Sequence, residues 1–274
     1  MDLQLQDVHV LITGASGGIG LETARLFLEQ GAKVTAHYNS NRTTLESLLS
    51  DFGSTRVFAG QADLCSENDV ARLFREAVAA LGPVQVAIIN HGIWPTEDVP
   101  VSEMPLDRWR NTLDTNLTAA FLVARDFLKQ LKDAPIDRRD KASICFVGST
   151  AGKYGEAGHA DYAVTKSALM YGFTLSLKNE IVKIAPKGRV NAVAPGWVKT
   201  PMAEEALKDP LVVYRALATT PLKKVAEPWD VATQIAVLSS PALSGHVTGQ
   251  VVMVEGGMEG RLLNRQTNAG LEAY

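Results

Sequence analysis

"TGASGGIG", residues 13–20, carries two patterns that lead to different folds and different chemistry. Gly14-Ala15-Ser16-Gly17-Gly18 satisfies G-x-S-x-G, the turn on which a hydrolase presents its serine, and the same small residues can bring backbone N–H groups up to a pyrophosphate. Both turns join a strand to a helix, so position in the chain has to separate them. A nucleophile elbow follows several strands and precedes an acid and then a histidine. Ser16 follows the first apolar run, and His37, His91, His159 and His246 make no triad order behind it. A P-loop fails because no Gly-Lys-Ser/Thr follows the glycines. The remaining reading is a dinucleotide loop, with a helix beginning near Gly18 whose unpaired N–H groups and positive dipole end face phosphate oxygens.

Outward from this loop, apolar runs bounded by turn residues occur at 8–13, 32–38, 55–60, 84–90, 143–149, 189–195 and 249–257, and read as strands buried on both faces. Helical patterns lie between them, several capped by Ser, Thr or Asp and stopped by Gly. The alternation predicts an α/β fold: a single-domain, Rossmann-type, doubly wound parallel sheet of about seven strands over residues 1–274, with helices on both faces. From about 200 to 226 the periodicity weakens and Pro201, Pro210 and Pro221 appear, with Pro228 just beyond. After a late strand, such a stretch reads as a small helical lid over the strands' carboxyl ends, or as a surface helical hairpin.

Composition excludes several classes. A hydrophobic fraction of 46% with 21% charged residues is that of a globular protein, and no run approaches the roughly 20 apolar residues of a membrane helix. Asp2 and Asp7 stand where a secretory signal would be basic and then apolar, and the tail NAGLEAY is no organellar address, so a cytoplasmic location is expected. Cys65 and Cys145 lie far apart with no His cluster; both read as small buried hydrophobes, without a metal site or disulfide scaffold. Net charge is −3 with dispersed basic residues, which offers nucleic acid or an anionic membrane no electrostatic footprint.

Independent of the glycine loop, "YAVTK" puts the Tyr162 phenol and the Lys166 ammonium four residues apart on one helix face, and of the six tyrosines only this one has lysine at that spacing. A neighbouring cation stabilises phenolate, which makes Tyr162 a candidate general acid.

With glycine loop, strand-end serine and Tyr/Lys pair in this order, the sequence resembles the short-chain dehydrogenase/reductase family in its compact branch, and is similar to 3-oxoacyl-(acyl carrier protein) reductases, from about Val8 to Gly257. The loop fits TGxxxGxG through Gly14, Gly18 and Gly20. "INHGI" occupies the place of NNAG, keeping Asn90 and Gly92 and departing at Ile89 and His91. The resemblance implies a catalytic set of Asn116, Ser149, Tyr162 and Lys166. It implies cofactor contacts at Gly14, Ser16, Gly18, Ile19, Gly20, Tyr38, Asn39, Ser40, Arg42, Asp63, Asn90, Gly92, Tyr162, Lys166, Val198 and Thr200. The implied reaction is hydride transfer between a nicotinamide cofactor and a small-molecule carbonyl or secondary alcohol, in a homotetramer. Ser149 would bond the substrate oxygen and Tyr162 deliver its proton. Lys166 would lower the Tyr162 pKa and hold the nicotinamide ribose, and Asn116 would position a water in a proton relay to Lys166. His91 is left as either a substrate-shaping or a packing residue, and Trp94, Tyr154 and Trp197 as either pocket or core.

NAD-preferring folds place Asp or Glu at the end of the second strand, about 20 residues past the glycines. Here that stretch reads AHYNSNRTT, with no acid between Gly31 and Leu45, and Asn39, Ser40, Asn41 and Arg42 can donate to a 2′-phosphate. NADP is expected over NAD. The different class of function compatible with the loop is a dinucleotide sensor without turnover, which needs none of Ser149, Tyr162 and Lys166; an epimerase or dehydratase lacks its C-terminal substrate domain here.

Overall fold

The computed structural model describes residues 2–259 and two short paired strands at Gln266–Thr267 and Gly270–Leu271; the rest of the C-terminal tail lies outside the described residues. Seven strands form one sheet: β1 (His9–Ile12), β2 (Lys33–Tyr38), β3 (Val57–Gln61), β4 (Val86–Ile89), β5 (Ser143–Val147), β6 (Arg189–Pro195) and β7 (Val251–Val254). Their order is β3-β2-β1-β4-β5-β6-β7, and every pair is parallel. The helices in chain order are α1 (Gly18–Glu29), α2 (Glu46–Phe52), α3 (Glu67–Leu81), α4 (Leu106–Leu113), α5 (Ala119–Asp133), a single turn α6 (Ile136–Arg139), α7 (Thr150–Tyr154), α8 (Ala160–Ser167), α9 (Thr174–Ile181), α10 (Pro210–Leu217), α11 (Pro228–Ser239) and a last turn α12 (Pro241–Ser244). Among the described residues no helix is long and apolar enough to cross a membrane.

Strand side chains alternate between the two faces, and the two cores follow that period of two. Leu11, Ala87, Ile89, Ile144 and Phe146 join Phe74 of α3, Phe127 of α5 and Leu177 of α9 in one core. Val10, Ile12, Val86, Ile88 and Cys145 join Phe27 of α1, Leu48 of α2 and Ile235 of α11 in the other. Burial on both faces holds for β1, β4, β5 and β6 but not for β3 and β7: Gln61 is exposed and every β7 residue is half-buried. These two are the edge strands, where the cover thins. Cys145 is buried as expected, its thiol pushed up to about 12 by desolvation. Cys65 corrects the expectation: it is exposed, because its N–H closes a turn onto Asp63 Oδ1 at 2.9 Å and Leu64 takes the inward position.

Two further corrections concern helices. The patterns at 108–131 and 161–181 read as unbroken helices, but each contains a π-helical segment, at Asp114–Thr118 and Ala168–Phe173. Such bulges preserve the amphipathic stripe while rotating the downstream turns, so the apolar spacing conceals them; they also gather at functional sites. Chain order reverses between β1 and β4, which opens a crevice at their carboxyl ends.

Candidate active site

The glycine loop sits at the mouth of that crevice. Gly14 has φ +63°, a left-handed conformation, and its O lies so near Gly20 that a Cβ there would approach it to 2.3 Å. Gly20 therefore seats α1 against the loop and contributes no lining surface. At the N-terminus of α1 the cap residue is Gly17, with no side-chain cap, so the first N–H groups stay available to an anion.

Two residues that sequence reasoning missed hold this loop. His37 Nδ1 accepts from Gly14 N at 3.0 Å while its Nε2 donates to Ala62 O at 3.0 Å, and the Thr44 hydroxyl donates to Ser16 O at 3.1 Å. Burial pushes His37 down to about 4, so the ring is neutral and can accept. Asn90 Nδ2 donates to Thr13 O and Gly14 O from β4's side.

His91 resolves toward a buttressing role. Thr13 Oγ1 accepts the N–H groups of Asn90 (2.9 Å) and His91 (3.2 Å), and its own proton has its nearest acceptor in His91 Nδ1 at 2.8 Å. The protonated Nε2 then points toward the Thr115 backbone, buried and without a hydrogen bond. Burial is the main cause that pushes this imidazole down to about 3, and the Lys166 ammonium adds to it. It lines the cavity as a neutral ring locked on one side.

Farther along the crevice, Ser149 leaves β5 as the N-cap of α7, its Oγ accepting from Ala151 N at 3.1 Å. That bond uses an oxygen lone pair and leaves the hydroxyl proton for another acceptor. Tyr162 and Lys166 stand one turn apart on α8. Burial pushes the Tyr162 phenol up to about 12; the hydrogen bond with Ser149 opposes this, and the charge of Glu156 adds to it. Lys166 does not offset the rise. Its Nζ lies 5.6 Å from the centre of the phenol ring and donates to Val147 O at 2.9 Å, and burial alone pushes it down to about 8.

Asn116 lies in the first π-helical segment, fully buried. Its Oδ1 accepts from Ile93 N at 2.7 Å and its Nδ2 donates to Ile93 O at 2.9 Å and Thr165 Oγ1 at 3.3 Å. The amide joins the loop after β4 to the catalytic helix.

One cavity of about 1830 Å³ runs from the glycine loop to these groups. Of the expected residues, Gly14, Ser16, Gly18, Ile19, Asn39, Asp63, Asn90, Gly92, Ser149, Tyr162, Lys166, Val198 and Thr200 line it. Tyr38 instead packs half-buried against the core beneath α1, and Ser40 and Arg42 are exposed beyond the rim. The segment after β6 forms a 3₁₀ turn at Ala206–Lys208 and then α10, capped by Asp209. Met202, Val212 and Ala216 from this segment line the cavity. Trp94, Tyr154 and Trp197 all reach the wall.

This geometry has close counterparts. A family of proteins described as enoyl-(acyl carrier protein) reductases matches residues 14–259. A 3-oxoacyl-(acyl-carrier-protein) reductase of Synechocystis sp. is 30% identical over 251 residues, 90% of this chain and 95% of its own. One from Vibrio cholerae is 32% identical over 93% of this chain and 99% of its own. The chain belongs to the short-chain dehydrogenase/reductase family. The crystal structure of a short-chain dehydrogenase/reductase from Brucella melitensis, titled a glucose/ribitol dehydrogenase, superposes with a TM-score of 0.83 at 32% identity, covering 94% of this chain and 99% of that one. Membership in the short-chain dehydrogenase/reductase family makes the protein an oxidoreductase, and accounts for the sheet order and for the glycine loop at its switch point. The relatives' names differ in what they act on, so substrate choice has to be read from the cavity wall.

Proposed function

We propose that the protein transfers hydride between NADP(H) and a carbonyl or secondary alcohol, with Tyr162 as general acid and base. The observation that carries this reading is the convergence of Ser149, Tyr162 and Lys166 on the same cavity that begins at the uncapped end of α1. The loop fits a dinucleotide: backbone N–H groups without a side-chain cap, glycines that leave room for close approach, and no carboxylate on Asn39 or its neighbours at the end of β2. When bound, the nicotinamide supplies the hydride.

The chain's own residues do the rest. Ser149 donates its remaining proton to the substrate oxygen and orients it. Tyr162, protonated throughout the neutral range, gives up its proton as negative charge develops on that oxygen. Lys166, brought near Asn116 and Gly92, stands ready to hold the nicotinamide ribose. Because the Asn116 amide is spent on Ile93 and Thr165, its part in a proton relay falls to its backbone carbonyl.

NADP preference rests on the missing carboxylate and on Arg42, which is exposed and makes no ion pair among the described residues, so it can turn onto a 2′-phosphate. A hydrogen bond to a charged group contributes about 1.5–3 kcal/mol. NADPH should therefore bind at least about 10-fold more tightly than NADH, and Arg42→Ala should remove most of that difference. Competitive titration monitored by cofactor fluorescence decides it; tighter NADH binding sinks the NADP reading.

For assembly, we propose a homotetramer. Phe121 on α5 and Val164, Tyr171 and Leu175 along α8 to α9 expose large apolar side chains on the two long helical elements. Light scattering of eluted protein should give four times the 29.5 kDa chain mass, and a monomer at micromolar concentration refutes it.

A further inference from the structure

The wall beyond Tyr162 is built from three segments far apart in sequence, after β4, after α7 and after β6, and its chemistry is lopsided. Trp94 stacks on His159 at 4.8 Å with an interplanar angle of 16° and meets the Trp197 ring edge-on at 5.8 Å. Trp94 Nε1 donates to Glu156 Oε1 at 3.2 Å, which orients the carboxylate. The other oxygen, Glu156 Oε2, has no partner among the described residues.

Behind this wall is a second deficit of positive charge. His159 is 1% exposed and donates from Nε2 to Pro95 O at 2.7 Å, so in the neutral ring Nδ1 carries a lone pair. That buried Nδ1 has no hydrogen-bond partner, and it lies 3.4 Å from Asp98 Oδ1 and 3.7 Å from Glu156 Oε1. Of these three atoms only Glu156 Oε1 accepts a hydrogen bond, from Trp94 Nε1. Protonating His159 supplies one donor to two carboxylates and still leaves Glu156 Oε2 open. Asp161, the other acid nearby, has Arg108 as its counter-ion and accepts from Arg108 and Thr112 at Oδ2, while its buried Oδ1 has no hydrogen-bond partner. Of the cations lining the cavity, Lys166 donates to Val147 O, and Arg215, on α10, has an interaction of its own. Burial raises the Glu156 carboxyl above its ordinary range; His159 and the Trp94 hydrogen bond oppose the rise without cancelling it, and Asp98 and Asp161 add to it.

We propose that the substrate is an amino ketone, or the corresponding amino alcohol, which presents its positively charged nitrogen to Glu156 between Trp94 and Trp197 while its carbonyl meets Ser149 and Tyr162. Indole rings attract a cation through their electron-rich faces, and a carboxylate adds direct Coulomb attraction in a partly desolvated site. A hydroxyl would satisfy Oε2 but leave the excess negative charge in place; a keto acid or a phosphorylated ketone would add to it. This deepens the reductase reading and rests on it.

Three ketones of nearly the same shape separate the possibilities: 1,1-dimethyl-4-oxopiperidinium, a permanent cation; neutral 4,4-dimethylcyclohexanone; and anionic 4-oxocyclohexanecarboxylate. With saturating NADPH at neutral pH, kcat/KM should favour the cation over the neutral ketone by at least 10-fold and disfavour the anion by a similar factor. Glu156→Gln should collapse the cation's advantage toward unity, and Asp98→Asn, a change at an exposed residue, should reduce it. A neutral ketone or a ketose used better than the cation overturns the proposal, as does an advantage that survives Glu156→Gln. If no ketone is reduced, quenching of tryptophan fluorescence by the oxopiperidinium, titrated into the protein–NADPH complex, still decides the matter. Binding weakened at least 10-fold by Glu156→Gln upholds cation recognition while the reductase reading falls; no binding overturns the inference.

Discussion

Tyr162→Phe will lower NADPH-driven reduction by about 10³-fold while the protein folds normally and binds NADPH with nearly unchanged affinity. The magnitude follows from general acid catalysis, which contributes about 10²–10⁴-fold. The selectivity follows from geometry: the phenol hydroxyl faces Ser149, whereas the loop at the other end of the cavity is held by His37, Thr44 and Asn90, none of which touches Tyr162. Phe keeps the ring beside Lys166 and deletes only the acidic proton. With the phenol pushed up to about 12, reduction should not be limited by protonation of Tyr162 below about pH 10, while alcohol oxidation, which needs the phenolate, should climb with pH. Progress curves at 340 nm for wild type and variant, with fluorescence titration of NADPH, make the test. A variant retaining more than about a tenth of the activity removes Tyr162 from the chemistry; one that loses cofactor binding together with its fold leaves the residue with a structural role only.

The fold is legible in the sequence because its determinants are local. Strand and helix alternate with distinct periods, and the glycine loop lies within eight consecutive residues, so the switch-point crevice follows from chain order. Tyr162 and Lys166 are legible for the same reason, as one turn of one helix. The hidden features depend on register and tertiary packing. His37 reaches Gly14 only because parallel pairing sets β2 beside β1 in one particular register, 23 residues away. The π-helical segment at Asn116 leaves the apolar stripe intact and so leaves no periodic trace. Tyr38, Ser40 and Arg42 illustrate the reverse problem: the end of β2 shows in the sequence, but which side chains turn into the cavity depends on the strand's pleat and the 3₁₀ turn after it. The acidic and aromatic wall joins residues some 60 positions apart, and no spacing rule connects Trp94 with Glu156.

Stability should fall steeply as the pH drops from 6.5 to about 4, before carboxylate titration dominates. Three buried histidines are responsible: His9, held between Gly82 O and Thr35 Oγ1, is pushed down to about 4, His37 to about 4 and His91 to about 3, with burial the largest cause in each. Each folded pKa lies below the unfolded value of 6.5, so through this window the unfolded chain binds protons that the native state refuses. The stabilisation is therefore fully present above pH 6.5 and is withdrawn as the pH falls. One pKa unit corresponds to about 1.4 kcal/mol, so each ring removes about 3 kcal/mol by pH 4, and the three together approach the roughly 5–15 kcal/mol that a whole domain possesses. A functional loss should come first. Protonated His37 has no lone pair to accept from Gly14 N–H, so the glycine loop loses its anchor and NADPH affinity should drop before global unfolding. Urea unfolding at half-unit steps from pH 7 to 4, with NADPH titrations at each step, reads both effects. The slope of stability against pH should correspond to uptake of two to three protons on unfolding near pH 5. A flat unfolding midpoint between pH 6.5 and 4.5 contradicts the neutral-histidine account, and NADPH affinity unchanged down to pH 4, where about half of His37 is protonated, frees the glycine loop from any dependence on His37.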